Sequence, residues 1–255
     1  MVIDVHTHLM YDNIQENKKL LLTAMERYRI DRIYVSTVGR QYPSEEAVAG
    51  QNRATAEFIR EHPAQVGGYV YVHPGLPNAL DTLRRGVEEQ GMEGVKLWAD
   101  RYCDDPCVYP VIEYAVQENI PILLHTFHKT HEQLPNETVG GNVARLAQKY
   151  PQAKLIMAHL GGNCYHGIPA VRGLPNVCVD LSGSQFRDDA LAYALEYLGA
   201  ERILFGSDMP FFYLDSLGQV MDMPLGHTER ELILSRNAQR LFRCALQAKK
   251  DEVIA

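Results

Sequence analysis

The stretch Val2-Ile3-Asp4-Val5-His6-Thr7-His8 begins as an apolar run and closes on two histidines one residue apart. Alternate side chains of a β-strand share a face, so on such a strand His6 and His8 point the same way at its C-terminal end. Two imidazoles so placed make half a metal site. Working outward, short β-branched or apolar runs recur at 2–5, 32–36, 66–72, 94–98, 121–125, 154–158, 177–181 and 202–205. Amphipathic segments separate them, at 20–29, 45–61, 79–90, 108–118, 141–149, 188–198 and 229–248, with a weak sixth near 167–172. Eight strands each followed by a helix predict an α/β fold, a TIM-type (β/α)8 barrel of parallel strands inside a ring of helices. The 255 residues, 46% hydrophobic, suffice for one such barrel, so 1–255 reads as a single domain.

Charge narrows the partners. A formal net charge of −7 with no basic run argues against nucleic acid and anionic membrane, and leaves a small molecule as the expected substrate. No apolar run is long enough to span a bilayer, and the start lacks the features of a signal peptide, so a cytoplasmic chain is expected. Barrels of this kind often associate, which makes a homo-oligomer a fair expectation. Cys103, Cys107, Cys164, Cys178 and Cys244 form no C-x-x-C pair, and their odd number speaks for reduced thiols. Cys103 and Cys107 are at best a weak metal clip.

The active site of a TIM barrel gathers at the C-terminal ends of its strands, which makes polar residues there candidates for chemistry. His125 ends the fifth run, His159 follows the sixth, and Asp208 follows the eighth through Gly206-Ser207. Each alone is unremarkable. With His6 and His8 they bring four imidazoles and a carboxylate to one mouth, a set that suits one divalent metal ion, Zn²⁺ first and Mn²⁺, Fe²⁺, Co²⁺ or Ni²⁺ as substitutes. Lys96, in Gly94-Val95-Lys96-Leu97-Trp98, either points into the mouth with a depressed pKa or pairs with a carboxylate such as Asp4. Strand alternation puts Asp4 on the face of His6 and His8, one step deeper, where it can orient an imidazole or pair with Lys96. Loops after the strands set specificity, and Trp98, Arg101, His73 and His128 are the candidates to line a substrate.

These residues resemble the amidohydrolase superfamily of metal-dependent barrels, and within it the amidohydrolase-2 branch that includes aminocarboxymuconate-semialdehyde decarboxylase. The resemblance spans essentially the whole chain: Asp4-Val5-His6-Thr7-His8, Gly94-Val95-Lys96-Leu97, His125, Ala158-His159-Leu160-Gly161-Gly162, Phe205-Gly206-Ser207-Asp208-Met209-Pro210 and the closing segment Arg236-Asn237-Ala238-Gln239-Arg240-Leu241-Phe242. It implies that His6, His8, His125 and Asp208 hold one metal with a position left open, and that His159 hydrogen-bonds water or substrate. Asp208 would shuttle the proton and His159 would steady an oxyanion, or the two roles are exchanged. Some members of the superfamily carboxylate the fourth-strand lysine to bridge two metals, a second reading of Lys96 beside the mononuclear one. The expected function is metal-dependent hydrolysis of an amide, ester or lactone bond in a small molecule. The alternative is a lyase activity of the same branch, non-oxidative decarboxylation of a small carboxylic acid, which the residues do not separate from hydrolysis.

Overall fold

The computed structural model describes residues 1–183, 189–212 and 214–242. Eight parallel strands follow one another in chain order: β1 (Ile3–Met10), β2 (Arg32–Val38), β3 (Val66–Tyr71), β4 (Gly94–Leu97), β5 (Pro121–Leu124), β6 (Lys154–Met157), β7 (Val177–Asp180) and β8 (Ile203–Leu204). The ladder closes on itself. Val5 N–H donates to the Phe205 carbonyl at 3.0 Å, and Asp208 N–H and His8 N–H donate to the His6 and Met209 carbonyls at 2.7 Å each. Helices α1 (Ile14–Tyr28), α2 (Glu45–Glu61), α3 (Ala79–Glu88), α4 (Tyr109–Gln117), α5 (Gly140–Lys149), α6 (Cys164–Val171), α7 (Ala190–Leu198) and α8 (Asp215–Asp222) link or follow the strands. This is the expected TIM barrel. Among the described residues no helix is long and apolar enough to cross a membrane.

The elements differ from expectation mainly at their ends. α1 begins at Ile14 rather than 20 because its first turns are polar yet packed: Asn17 Oδ1 accepts from Met10 N–H at 2.7 Å and Lys18 reaches Glu61 at 2.8 Å. Apolar periodicity does not register a helix face buried through hydrogen bonds. The last helical stretch starts at His227 and passes through a π turn over Leu232–Arg236 before Asn237–Leu241. The remainder of the expected 229–248 helix, Cys244 and the Asp188 start of the seventh helix lie outside the described residues. Cys103, Cys164 and Cys178 are buried and Cys107 is half-buried.

The barrel interior has two layers. Tyr34, Tyr69, Leu123, Ile156, Cys178 and Leu204 point inward and pack together, while Ile33, Val70, Ile122, Leu155, Val177 and Ile203, each one residue away, face the helices. Tyr34 stacks on Phe242 at 3.7 Å between ring centroids, and the Tyr69 hydroxyl donates to the Val5 carbonyl at 2.6 Å, so aromatic rings fill the N-terminal end. Two residues further along each strand alternation returns the chain to the inside, and there the residues are Ser36, Tyr71, His125, Ala158, Asp180 and Gly206. An apolar floor therefore gives way to a polar layer at the height where strand ends meet.

β1 reaches that layer by an irregular route. Its pairing with β2 shifts between Asp4 and Thr7, one extra residue on β1, so Val5 joins the inner apolar cluster and His6 follows directly into the polar layer. Asp4 is thereby out of phase with His6 and His8, against the expectation from simple alternation. Its Oδ1 instead accepts from the backbone N–H groups of His6 at 3.0 Å and Ser207 at 3.1 Å, lacing β1 to the turn after β8. It neither orients an imidazole nor pairs with Lys96. Burial raises its pKa to about 7, and its Oδ2 is without a hydrogen-bond partner among the described residues.

Candidate active site

His6 and His8 are fixed from behind. Asp180 Oδ2 lies 2.9 Å from His6 Nδ1, and the Ser36 carbonyl lies 3.1 Å from His8 Nδ1. Asp180 only accepts, so a neutral His6 carries its proton on Nδ1 and turns an Nε2 lone pair toward the barrel axis; His8 Nδ1, which also has Ser36 Oγ at 3.0 Å, takes the same tautomer when it donates to the Ser36 carbonyl. The two Nε2 atoms are 3.1 Å apart, and Asp208 Oδ1 is 3.1 Å from that of His8 and 3.5 Å from that of His6. Three potential ligand atoms thus face one point, an arrangement that fits a divalent cation. Lys96, 1% exposed, lies beside them with Nζ 2.9 Å from His6 Nε2. A second trio, His6, His159 and Asp180, is also close enough to hold an ion, but its atoms are already engaged. Ser182 Oγ is 2.9 Å from both His6 Nδ1 and His159 Nδ1, and it also bonds Asp180 Oδ1, which accepts from the His159 N–H at 3.0 Å.

His125 directly follows β5, beside this cluster. Its Nδ1 faces His159 Nε2 at 3.3 Å and its Nε2 faces Glu137 Oε1 at 2.9 Å. It is in neither close trio. His159 and Asp208 hang on backbone in the left-handed region, φ 59° and 62°, an uncommon conformation outside glycine that turns both side chains onto the centre. His159 Nδ1 is 4.0 Å from Asp208 Oδ2.

Burial sets the charge states. It depresses His6 well below the ordinary histidine value, His159 to about 4 and Lys96 to about 8, and it lowers His125 against the pull of Glu137. Burial also works against ionised Asp208, but the imidazoles of His159, His6 and His8 outweigh it and hold its carboxyl well below the carboxylate range. Asp208 is thus held as a carboxylate, while burial opposes positive charge on His6, His125 and His159 around it.

Above it lies a cavity of about 480 Å³ walled by Trp98, Phe127, Leu134, Phe211 and Phe212, with His8, Lys96, His125, His159 and Asp208 in its lining. Of the four specificity candidates, Trp98 lines it and three do not. His73 accepts from Gly75 N–H at 3.1 Å and caps its own loop. Arg101 turns back onto the Asp100 carbonyl at 3.4 Å. His128 stacks on His166 at 4.1 Å and lines a separate outer hollow of about 690 Å³. Sequence reading passed over Asp180, Ser182, Ser36 and Glu137. Asp180 was within reach, since it ends β7 in phase with inward Cys178, as His125 follows β5 in phase with Leu123.

The family model Amidohydro_2, described as amidohydrolase, matches residues 3–244. The chain belongs to the Amidohydro_2 family of enzymes. Within reach of this Amidohydro_2 chain is the γ-resorcylate decarboxylase of Polaromonas sp. (strain JS666), 25% identical over 79% of this chain and 80% of its own. The crystal structure of 5-carboxyvanillate decarboxylase from Sphingomonas paucimobilis superposes with a TM-score of 0.74 at 16% identity, covering 95% of this chain and 98% of that one. A dihydroxybenzoic acid decarboxylase from Polaromonas sp. JS666, with bound manganese and the inhibitor 2-nitroresorcinol, gives 0.73 at 20% identity, covering 95% and 96%. The expectation of hydrolysis is overturned by these relatives, which are decarboxylases and match the alternative instead. One set of imidazoles and a carboxylate serves either reaction, so the residue types that suggested hydrolysis carried no information against decarboxylation.

Proposed function

We propose that this chain is a metal-dependent, non-oxidative decarboxylase of a small hydroxylated aromatic acid. The observation that carries the reading is the stacking of two unlike environments: three lone-pair donors and a buried amine at the bottom of a cavity whose walls are aromatic. A flat ring fits between Trp98, Phe127 and Phe211, with its carboxylate and neighbouring hydroxyl directed at the polar floor. The relatives that act on γ-resorcylate and 5-carboxyvanillate support the same substrate class.

His6, His8 and Asp208, with His125 as fourth, would hold one divalent cation. When bound, that ion supplies positive charge that anchors the substrate oxygens and offsets the negative charge building on the ring. The chain's own groups do the rest. Lys96 Nζ adds a second positive group at the floor, and the aromatic walls keep water from the reacting carbon. Asp208 Oδ2, beside His159 Nδ1 at 4.0 Å, relays a proton taken from water to the ring carbon that bears the carboxylate. The carbon–carboxylate bond then breaks, its electron pair returns to the ring, and carbon dioxide leaves. One proton is consumed per carbon dioxide released.

Manganese is the first ion to test, being the one in the Polaromonas structure, with Zn²⁺ beside it. Metal-loaded enzyme incubated with 2,6-dihydroxybenzoate and 5-carboxyvanillate in D₂O is expected to release carbon dioxide and leave deuterium at the vacated ring carbon. No carbon dioxide from any hydroxylated aromatic acid by protein of verified metal content would overturn the reading.

A further inference from the structure

We infer that Glu137 is the positioning residue of this centre: its carboxylate selects the tautomer and the ring orientation of His125. The inference rests on the metal-dependent reading above and names a residue that sets it. The two nitrogens of His125 face opposite ways, Nε2 toward Glu137 Oε1 at 2.9 Å and Nδ1 toward His159 Nε2 at 3.3 Å. An ionised carboxylate has no proton to give, so Nε2 carries the hydrogen and Nδ1 is left as a lone pair aimed inward. His125 therefore matches His6 and His8 in kind: each ring gives its hydrogen to an acceptor behind it and turns a lone pair to the middle.

Glu137 is built to stay there. It is 1% exposed, and besides His125 it accepts from Lys129 Nζ at 3.0 Å, Gln133 Nε2 at 2.7 Å and Leu134 N–H at 3.1 Å. The Gln133 and Leu134 donors, both on Oε2, stop the carboxylate from rotating away from the imidazole. The same contacts fold the segment after β5 over the centre, and that segment supplies Phe127, Lys129 and Leu134 to the cavity wall. Lys129 gives an internal control, because it shares Glu137 and the loop without touching His125.

The test uses the full chain with ¹⁵N-labelled histidine. Long-range ¹H–¹⁵N spectra report which nitrogen of each ring is protonated, with His125→Gln assigning the signal, and manganese titration of the chelator-stripped protein reports affinity. Wild type is expected to show His125 protonated at Nε2. Glu137→Leu is expected to lose that tautomer, leave the His6 and His8 signals in place and bind manganese about ten- to a hundredfold more weakly. Glu137→Gln, which keeps an acceptor without the charge, is expected to fall between, and carries the test if the leucine variant does not fold. Lys129→Met is expected to stay close to wild type in both readouts. An unchanged His125 tautomer or unchanged manganese affinity in the Glu137 variants would overturn the inference. A wild type that binds manganese but releases no carbon dioxide would instead overturn the decarboxylase reading and leave this comparison intact.

Discussion

Asp208 carries more of the proposed chemistry than any neighbour, because one oxygen joins the acceptor cluster while the other lies 4.0 Å from His159 Nδ1. Asp208→Asn keeps the shape and removes both the charge and the transferable proton. Decarboxylation is expected to fall by about 10²–10⁴-fold, the usual worth of a positioned acid–base group, with the melting temperature of the metal-free protein little changed. A variant retaining a tenth or more of wild-type turnover would move the proton to another residue. The residues at this scale were unequally legible. His6, His8, His125, His159 and Asp208 stand out because histidine and aspartate at strand ends are chemically conspicuous. Glu137 does not, since it lies twelve positions beyond His125 in a loop that returns on itself, and nothing local marks that return. Arg101 and His73 misled for the opposite reason: both follow strands, yet their side chains satisfy their own loops.

At the scale of elements, the turn after β7 controls His159 from the neighbouring strand. Gly183 has φ +88°, and a Cβ built there would lie 2.7 Å from His159 Nδ1. Gly183→Ala is expected to destabilise the fold by about 1 kcal/mol or more through its backbone conformation alone. It should also push the imidazole off Ser182 and Asp208, so carbon dioxide release should drop further than the loss of folded protein explains. Measuring turnover per folded molecule, from parallel denaturation and activity curves, separates the two effects; a proportional loss would leave His159 undisturbed. Strands and helices were readable because barrel strands alternate between floor and helix-facing residues, as Leu123 and Ile122 do. The offset within β1 was not, because an extra residue in a ladder is specified by its partner strand and by Asp4 binding the Ser207 N–H, a contact across almost the whole sequence.

For the molecule as a whole, the buried centre makes stability depend on pH. His6, His125 and His159 are all depressed by burial, so the unfolded chain binds protons that the folded chain refuses between the ordinary value of 6.5 and, for His159, about 4. Their contribution is complete above about 6.5 and lost as the pH falls, on the order of 3 kcal/mol for His159 alone. Asp4 works the other way, its pKa raised by burial from 3.8 to about 7, so its contribution is present at low pH and lost as pH rises through 7. Burial lowers His73 as well, and four imidazoles against one carboxyl give a net loss on acidification. The urea midpoint of metal-free protein is expected to fall from pH 7 to pH 5, and a midpoint that rises would show Asp4 dominating. The rings of Tyr34, Tyr69 and Phe242 have a consequence for traffic through this molecule. They make the barrel a well with a stopper at the bottom rather than a tube with two openings. What enters first must leave last: in the proposed reaction, carbon dioxide set free at the polar layer would be queued beneath the decarboxylated ring, and the ring would have to clear the well, or tilt within it, before the gas escapes and the next acid descends.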